Sequence, residues 1–309
     1  MSEHPLVSIV TPTYNQAAYL PATIHSILAQ DYKNIEYFVI NDGSTDGTAD
    51  VMQRYTDHIR CETQVNIGQA LTLNKGWSQA SGKYLGYLSS DDVLYPSAIS
   101  KLVSILEADD SIVCVFPDAD LIDEESRVVK KNVCRSFDLA ELVVRQECYI
   151  GPGAIFRRSA FNSVGGWKPT LKLAPDREFW MRLAGRGTFY FCDEVLAGYR
   201  IHPHSISYKD VSEVTAREYI QVLDHYFSQD AVPQEIRFRK SEAYGYATLV
   251  LARNAFRSGS FARGVALYKD ACNLHPELKR ASVKARLVRN VVSKPARVAL
   301  SVVRSMFKK

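Results

Sequence analysis

Short apolar runs alternate with amphipathic segments between residues 6 and 192. β-Branched runs at residues 6–11 and 35–40 predict buried strands, and residues 19–30 have apolar side chains at helical spacing. The same features predict strands at residues 84–88, 112–116, 151–156 and 188–192, and helices at residues 69–80, 97–107 and 176–186. This alternation predicts an α/β fold with a mostly parallel, Rossmann-like sheet flanked by helices.

The pattern changes near residue 211, where strand signals end and the remaining segments have helical periodicity. Small side chains recur within residues 252–276, which favours a tight helical hairpin of the ordinary kind over a repeat array. We therefore predict a sheet domain over residues 1–208, a smaller helical region over residues 209–276 and a basic amphipathic tail over residues 277–309.

The composition is that of a globular protein with a core of ordinary size. Hydrophobic residues make up 46% and charged residues 23% of the 309 residues. The six cysteines form no CxxC pair, which favours reduced thiols over a disulfide framework. Because the chain shows neither a secretory signal pattern nor a run of about 18 apolar residues, we expect a cytoplasmic location.

Charge is distributed unevenly along the chain. The net charge is +4, yet residues 277–309 contain ten Lys or Arg and one acidic residue, which leaves −5 on the remainder. The tail alternates cationic and apolar residues, a pattern typical of a helix lying on an anionic membrane surface. A solvated basic helix packed on the body is the other interpretation. Nucleic acid is not expected as a partner, because no recognition motif accompanies the charge.

Three polar clusters directly follow predicted strands. They begin at Thr11, Asn41 and Ser89 and read Thr-Pro-Thr-Tyr-Asn, Asn-Asp-Gly-Ser-Thr-Asp and Ser-Ser-Asp-Asp. Each cluster alone is typical of a turn. Ligands of open α/β sheets bind at the carboxyl ends of the strands, so we expect one crevice to collect all three.

Two interpretations apply to the adjacent carboxylates Asp91 and Asp92. Neighbouring charges at the end of an apolar strand are costly unless a cation or hydrogen-bond donors offset them. Mg²⁺ typically takes one or two carboxylates and completes its shell with water and substrate phosphates. Aspartate is also a good N-cap for the helix predicted to follow, and the residues alone do not separate the two roles.

The order of the polar motifs along the chain favours the metal-binding role of Asp91 and Asp92 over the N-cap role. Val-Ser-Ile-Val-Thr-Pro-Thr-Tyr-Asn from Val7, Asn-Asp-Gly-Ser-Thr-Asp-Gly-Thr from Asn41, Asn-Ile-Gly from Asn66 and Gly-Lys-Tyr-Leu-Gly-Tyr-Leu-Ser-Ser-Asp-Asp from Gly82 follow one another. As an ordered set over residues 5–205, they resemble glycosyltransferase family 2. The resemblance implies the GT-A fold for the sheet domain and a nucleotide-sugar as donor substrate.

The resemblance also implies roles for individual residues on the nucleotide side. Pro12 and Tyr14 match positions that line the nucleobase pocket, and Asp42 matches the aspartate that reads the base edge. Asp91 and Asp92 match the pair that contacts the ribose and a divalent metal, Mn²⁺ or Mg²⁺. The family often has an aspartate at the position of Ser89 in this chain, so this site has fewer carboxylates for a metal.

Asp176 matches the catalytic base of inverting members, although Pro175 replaces the acid that usually precedes it. Its alternative role is that of an acidic residue at a helix N-terminus. A segment from Tyr199 resembles the one that closes over the diphosphate, in which Arg200 and His202 are expected to contact phosphate and His202 also the metal. Lys75 is a further candidate for the diphosphate. The turn Gly165-Gly166-Trp167 matches one that shapes the acceptor side.

Together these assignments predict a metal-dependent, inverting glycosyltransferase of cell-surface glycan biosynthesis. A UDP-sugar is favoured as donor, with dTDP- and GDP-sugars as alternatives, and the acceptor is expected to be a glycan or a lipid-linked hydroxyl. Peripheral contact with the inner face of the membrane would follow from the tail. The alternative is a nucleotide-sugar-binding protein with weak or no transferase activity, an interpretation that Ser89 and Pro175 keep open.

Overall fold

The computed structural model describes residues 4–203, 205 and 212–288. Within them the chain forms two compact units. The first contains the residues up to 137 together with residues 149–201, and the second contains residues 138–148 together with the chain from residue 202 onward. Each unit is described by itself.

The strands of the described residues all belong to the first unit. They are β1 Val7–Thr13, β2 Ile35–Asp42, β3 Arg60–Gln64, β4 Tyr84–Tyr87, β5 Val93–Leu94, β6 Ile112–Ile122, β7 Val128–Lys130, β8 Ile155–Arg157 and β9 Thr188–Arg200. The first-unit helices are α1 Leu20–Leu28, α2 Thr48–Gln53, α3 Gln69–Gln79, α4 Ala98–Ala108, α6 Arg158–Val164 and α7 Pro175–Ala184. Those of the second unit are α5 Leu139–Val143, α8 Glu213–Ala216, α9 Glu218–Phe227, α10 Gln234–Arg237, α11 Lys240–Arg257 and α12 Phe261–Leu274.

One sheet contains all the described strands, in the order β3-β2-β1-β4-β8-β6-β9-β5, with β7 paired to β6. Strands β1, β2, β3 and β4 pair in parallel, and so do β6 and β9. Strand β8 runs antiparallel to both β4 and β6, which makes those two strands parallel to each other. The mostly parallel sheet flanked by helices is thus confirmed, and its parallel strands end at a common edge.

The apolar side chains of β1 and β2 are buried on both faces of the sheet. Every residue of β1 is buried, as expected of a parallel strand covered on two sides. Helix α3 approaches especially closely at Gly76, where an added Cβ would lie 2.5 Å from Val10 Cγ1. The glycine therefore sets the distance at which α3 packs on the sheet.

Several strands differ from the prediction. A strand is predicted over residues 151–156, whereas the strand found there, β8, is Ile155–Arg157. Strands β3, β5 and β7 are not predicted by the sequence. Strand β3 has the polar sequence Arg-Cys-Glu-Thr-Gln because it lies at the sheet edge. Strands β6 and β9 extend well beyond their predicted ends at residues 116 and 192.

The extension of β6 passes through charged residues that interrupt its apolar run. Asp118 lies in the buried middle of the strand, where its carboxylate accepts from Cys134 N (3.0 Å) and Asn132 Nδ2 (2.7 Å). Hydrogen bonding of this kind removes most of the cost of burying a polar group. A pattern of apolar residues cannot reveal it, since the donors lie on a separate segment.

The regular elements described in the second unit are helices, as predicted for the C-terminal region. Helices α11 and α12 pack against each other, and Leu251, Ala252 and Ala255 of α11 share a buried cluster with Leu267 of α12. An added Cβ on Gly245 would lie 2.7 Å from His275 Cβ, so the hairpin is tight at that end. In the part of the chain that the structure describes, no helix has the length and apolar character needed to span a bilayer.

Candidate active site

Asp42 lies at the carboxyl end of β2 and is buried. Its Oδ1 accepts from Ile67 N and Gln64 Nε2, both at 2.9 Å, and its Oδ2 accepts from Gly68 N at 2.8 Å. Gly68 directly precedes α3 and has a φ of 90°, which favours glycine. The carboxylate predicted to read a nucleobase therefore also fixes the loop that begins α3.

The first two polar clusters lie side by side. Asn15 N approaches Ser44 Oγ at 2.9 Å, and Asn15 Oδ1 accepts from Thr45 N at 2.8 Å. Pro12 is buried within β1, whereas Tyr14, just beyond the strand, is 48% exposed. Tyr14 is accessible to a planar ligand, as a stacking role requires.

Lys75 occupies a polar network on the β3 side of the sheet. Its ammonium contacts a Glu62 carboxylate oxygen and donates to Gln64 Oε1 at 2.9 Å. Gln64 in turn donates to Asp42, so the network joins Lys75 to the base-side aspartate. The charge of Lys75 is thus directed at Glu62, and a contact with a diphosphate remains a prediction.

Residues 89–92 form a turn, called here the Asp91 turn, in which Asp92 N donates to Ser89 O at 3.1 Å. Thr23 Oγ1 of α1 donates to Asp92 O at 2.7 Å, so this hydrogen bond holds the turn against α1. Helix α4 begins later, and its N-cap is Ser97. Neither aspartate caps that helix, so the structural alternative considered for the pair is wrong.

The two aspartates differ in environment. Asp92 is 4% exposed and its Oδ1 accepts from Arg200 N at 2.8 Å, whereas Asp91 is partly exposed. Burial, and then the negative charge of Asp91, raise the pKa of Asp92 well above its usual value. A cation beside the pair would relieve both effects.

The fit to a divalent metal rests on this pair of carboxylates. Among the described residues, no group of three or more His, Cys, Asp or Glu side chains is placed to hold a metal ion. Mg²⁺ is commonly held by one or two carboxylates, with phosphate and water oxygens completing its shell. The Asp91 turn therefore fits a cation that is bound together with a diphosphate.

Arg200 ends β9 beside the Asp91 turn and is 1% exposed. Its Nε donates to Asp91 O at 2.7 Å, and its Nη1 donates to Asp123 O at 2.7 Å and to Glu124 O at 3.2 Å. The guanidinium, predicted to contact phosphate, thus binds backbone carbonyls of its own chain in this structure.

His202 belongs to the second unit and is buried. Its backbone N donates to Ser205 Oγ at 3.2 Å, and its carbonyl accepts from Ser205 N at 3.0 Å. The segment expected to close over a diphosphate ends at Ser207, and its residues 204, 206 and 207 lie outside the described residues. The metal and phosphate roles of His202 remain predictions.

Asp176 is the second residue of α7, directly after Pro175 at the first position. Proline is favoured there, because its fixed φ suits a helix start and its missing N–H would have no helical acceptor. Burial raises the pKa of the Asp176 carboxyl above its usual value, and Arg177 opposes that rise. A carboxylate with a raised pKa is suited to general-base chemistry nearer neutral pH.

The nearby acid Glu178 has a structural role. Its carboxylate accepts from Arg182 Nε and Nη2, both at 2.7 Å, and pairs with Lys168 Nζ at 3.0 Å. Arg182 also donates to Gly166 O at 2.7 Å. The Glu178–Arg182 pair therefore ties α7 to the glycine-rich turn. Asp176 is the acid at the start of this helix whose raised pKa suits a general base.

Asn74 was not predicted as a site residue, although it holds the same turn from α3. Its Nδ2 donates to Trp167 O at 2.7 Å and its Oδ1 accepts from Trp167 N at 2.8 Å. The Trp167 ring packs against Tyr87, with centroids 5.2 Å apart, at the end of β4. An asparagine inside a helix is a weak helix former, which is the sequence signal that could have drawn attention to it.

Known proteins are similar to this chain in sequence. Residues 8–165 match the sequence profile of the family described as "Glycosyl transferase family 2". An uncharacterized glycosyltransferase of Rickettsia prowazekii (strain Madrid E) is 35% identical over 205 residues, which are 64% of this chain and 64% of that protein. The putative teichuronic acid biosynthesis glycosyltransferase TuaG of Bacillus subtilis (strain 168) is 29% identical over 210 residues, 66% of this chain and 82% of that protein.

Two solved structures are similar in fold. The mannosyltransferase PcManGT from Pyrobaculum calidifontis, in complex with GDP-Man and Mn²⁺, has a TM-score of 0.61 at 18% identity, covering 95% of this chain and 88% of that one. S. aureus TarS 1–349 in complex with UDP has a TM-score of 0.56 at 16% identity, covering 89% and 91%. At these identities the likeness shows the fold, which is of the GT-A type. Since the family profile spans half of the sequence, the chain belongs to glycosyltransferase family 2.

Proposed function

We propose that this protein transfers a sugar from a nucleotide-diphosphate-sugar to a hydroxyl acceptor with inversion at the anomeric carbon. Asp176 is the observation on which the proposal rests, because a partly buried carboxylate with a raised pKa at the start of α7 suits a general base. Membership of the family supports the same reaction class.

In the proposed reaction, Asp176 takes the proton of the acceptor hydroxyl. The resulting oxygen forms a bond to the anomeric carbon while the bond from that carbon to the diphosphate oxygen breaks, and the electron pair leaves with the nucleotide diphosphate. Asp91 and Asp92 are the residues that would hold a divalent cation. The chemistry expected of Mn²⁺ or Mg²⁺ there, when bound, is neutralisation of charge on the leaving group.

On the donor side, Pro12, Tyr14 and Asp42 are proposed to bind the nucleobase. The residues that the sequence predicts for the phosphates are Lys75, Arg200 and His202. The similar structures contain UDP in one case and GDP-Man with Mn²⁺ in the other. A UDP-sugar is our first choice of donor, and GDP- and dTDP-sugars are the alternatives.

A role in cell-surface glycan biosynthesis is proposed for the acceptor side. The Bacillus subtilis relative is named as a putative teichuronic acid biosynthesis glycosyltransferase, which supports a polysaccharide acceptor. The basic tail supports a lipid-linked acceptor at the inner face of the membrane, because cationic amphipathic helices bind anionic bilayers.

A thermal-shift panel tests the donor assignment. UDP-, dTDP- and GDP-sugars are added to the full chain with Mn²⁺, with Mg²⁺ or with EDTA, and the donor is expected to raise the melting temperature more with a metal than with EDTA. Asp91→Asn should abolish the additional rise that the metal gives, whereas Asp57→Asn, a change at an exposed turn, should not.

The same samples are assayed for donor turnover. Stabilisation without hydrolysis or transfer would favour the alternative of a nucleotide-sugar-binding protein. A melting temperature that no nucleotide-sugar shifts would contradict the proposed function altogether.

A further inference from the structure

The guanidinium of Arg200 is a buried cation that makes its closest polar contacts with backbone carbonyls. Its Nε–H and Nη1–H groups reach the carbonyl oxygens of Asp91, Asp123 and Glu124. Its Cζ also lies 5.3 Å from the ring centroid of Tyr19. Burying a charge costs free energy unless the charged group is hydrogen-bonded. The hydrogen bonds to these carbonyls therefore offset part of the cost of desolvating the guanidinium.

These contacts join segments that are far apart in the sequence. The Asp91 turn follows β4, whereas Asp123 and Glu124 form the turn between β6 and β7. The backbone of Arg200 adds a further link, because its N–H donates to Asp92 Oδ1 at 2.8 Å. Both aspartates of the proposed diphosphate site are thereby attached to one residue, Asp91 through its carbonyl and Asp92 through its carboxylate.

The geometry of the side chain explains why an arginine is needed. Donors on Nε and Nη1 point in fixed, divergent directions in the guanidinium plane, so one side chain can hold two turns at once. A lysine has the same charge but a single ammonium nitrogen, so it does not reproduce the two separate donor nitrogens that Arg200 directs at Asp91 O and Asp123 O. Since both Nε and Nη1 are engaged and the residue is almost fully enclosed, Arg200 is poorly placed to donate to a substrate phosphate.

We propose that Arg200 is the positioning residue of the Asp91 turn, and that it holds Asp91 and Asp92 in the arrangement that binds the metal–diphosphate group, rather than contacting a phosphate itself. This inference rests on the proposed function of the turn. It replaces the phosphate contact that the sequence predicts for Arg200 with an indirect role through the backbone of the site.

Arg157 provides a matched control. It is also buried, and its guanidinium also binds carbonyls, with Nε to Ile112 O at 2.7 Å and Nη2 to Asp109 O at 3.1 Å. Ile112 begins β6 whereas the Arg200 contacts follow its end, so Arg157 lies at the opposite edge of the sheet. Arg157→Lys therefore imposes a similar loss on the fold without touching the Asp91 turn.

The experiment compares Arg200→Lys, Arg157→Lys and the unmodified full chain. Mn²⁺ binding in the presence of saturating UDP is measured by the electron paramagnetic resonance signal of free Mn²⁺, and UDP binding in EDTA is measured by calorimetry. We expect Arg200→Lys to weaken Mn²⁺ binding by about ten- to a hundred-fold, as for other residues that orient metal ligands. Its affinity for UDP in EDTA should stay close to that of the unmodified chain, and Arg157→Lys should change neither quantity.

Two results would overturn the inference. One is an Arg200→Lys variant with unchanged Mn²⁺ binding. The other is a variant that loses UDP affinity in EDTA to the same degree as in Mn²⁺, as a direct phosphate ligand would. An unmodified chain that binds neither UDP nor Mn²⁺ would instead contradict the proposed function itself.

Thr23→Val keeps the test decisive if Arg200→Lys does not fold. This nearly isosteric change removes only the hydroxyl that donates to Asp92 O at 2.7 Å, so it loosens the same turn from α1. It should weaken Mn²⁺ binding in the same direction as Arg200→Lys, by a smaller factor. Unchanged Mn²⁺ binding in this variant would contradict the claim that fixation of the turn governs the site.

Discussion

At the scale of single residues, the surroundings of Asp176 disfavour the ionised form of its carboxyl. Burial raises the pKa of its carboxyl, so the folded chain binds a proton there more tightly than the unfolded chain does. The free energy of unfolding therefore decreases as the pH rises from the usual aspartate pKa through the raised one. Such a cost is typical of catalytic groups and fits the role proposed for Asp176.

Replacing Asp176 by Asn should remove both the base and the cost. We expect sugar transfer to fall by about a hundred- to ten-thousand-fold, the range of general-base contributions. The variant should also melt at a higher temperature than the unmodified chain at neutral pH, and the difference should shrink on acidification. Melting curves from pH 4 to 8 measure this, and a variant destabilised at neutral pH would argue against the buried-charge interpretation.

Gly166 is constrained by the anchored side chain of Asn74. An added Cβ would lie 2.0 Å from Asn74 Oδ1, and that oxygen cannot retreat without losing its bond from Trp167 N. Gly166→Ala should therefore lower the free energy of unfolding by about 1–3 kcal/mol, the cost typical of overpacking.

Urea denaturation measures the effect, with Gly47→Ala as control. The nearest atom to an added Cβ on Gly47 lies 3.8 Å away, so the control should stay within about 0.5 kcal/mol of the unmodified chain. Equal stabilities for the two variants would show that the turn can relax around Asn74.

At the scale of elements, the predicted features were those with a strong local signal. Strands β1 and β2 are continuous apolar runs, and α1 and α4 bury one face, so periodicity alone identified them. The second half of the sheet was poorly predicted. The pairing of β6 with β9 shifts register near Asp118, and the polar residues there gave no strand signal.

The site was predictable only in part for the same reason. Asp42, Asp91 and Asp92 stand at strand ends, a position that the sequence reveals. The burial of Arg200 could not be predicted, because its partners are backbone carbonyls 77 and 109 residues away and any residue type can supply a carbonyl. The role of Asn74 as an anchor for Trp167 escaped prediction because its partners are also backbone groups.

In the second unit, Glu213 of α8 pairs with two arginines. Hydrogen bonding from Arg263 of α12, followed by that from Arg217, lowers the pKa of Glu213 to about 2. Because the folded-state pKa is below the usual value of 4.5, the pairing stabilises the unit above that value and is lost as the pH falls towards about 2.

Glu213→Gln should therefore destabilise the protein at pH 7, and the difference should diminish below pH 4.5. The side chain is partly exposed, so the effect should be small and should weaken further in high salt. Chemical denaturation at pH 7 and pH 3, in low and high salt, measures it, with Glu277→Gln as the control for a more exposed pair. A difference that is constant over this pH range would exclude the ion pair as its source.

At the scale of the whole molecule, the distribution of charge predicts where the protein binds. Residues 289–309, which lie outside the described residues, contain six Lys or Arg and no acidic residue. Each basic residue near an anionic bilayer contributes about 1 kcal/mol of attraction. Removing these residues should abolish sedimentation with vesicles of phosphatidylglycerol while leaving that with phosphatidylcholine vesicles unchanged.

The truncated chain should retain its melting temperature and its response to UDP with Mn²⁺, which separates membrane binding from folding. Sedimentation of both chains to the same extent, at physiological salt, would disprove the membrane role of the tail.

The link between Arg200 and Asp92 spans 108 residues, and this separation has a consequence for biosynthesis. At about 5–20 residues per second, the ribosome releases Asp92 roughly 5–20 s before Arg200. During that interval the growing chain has both aspartates but not the strand that fixes them. On our proposal, the arrangement that binds the metal–diphosphate group therefore forms only when β9 inserts between β6 and β5.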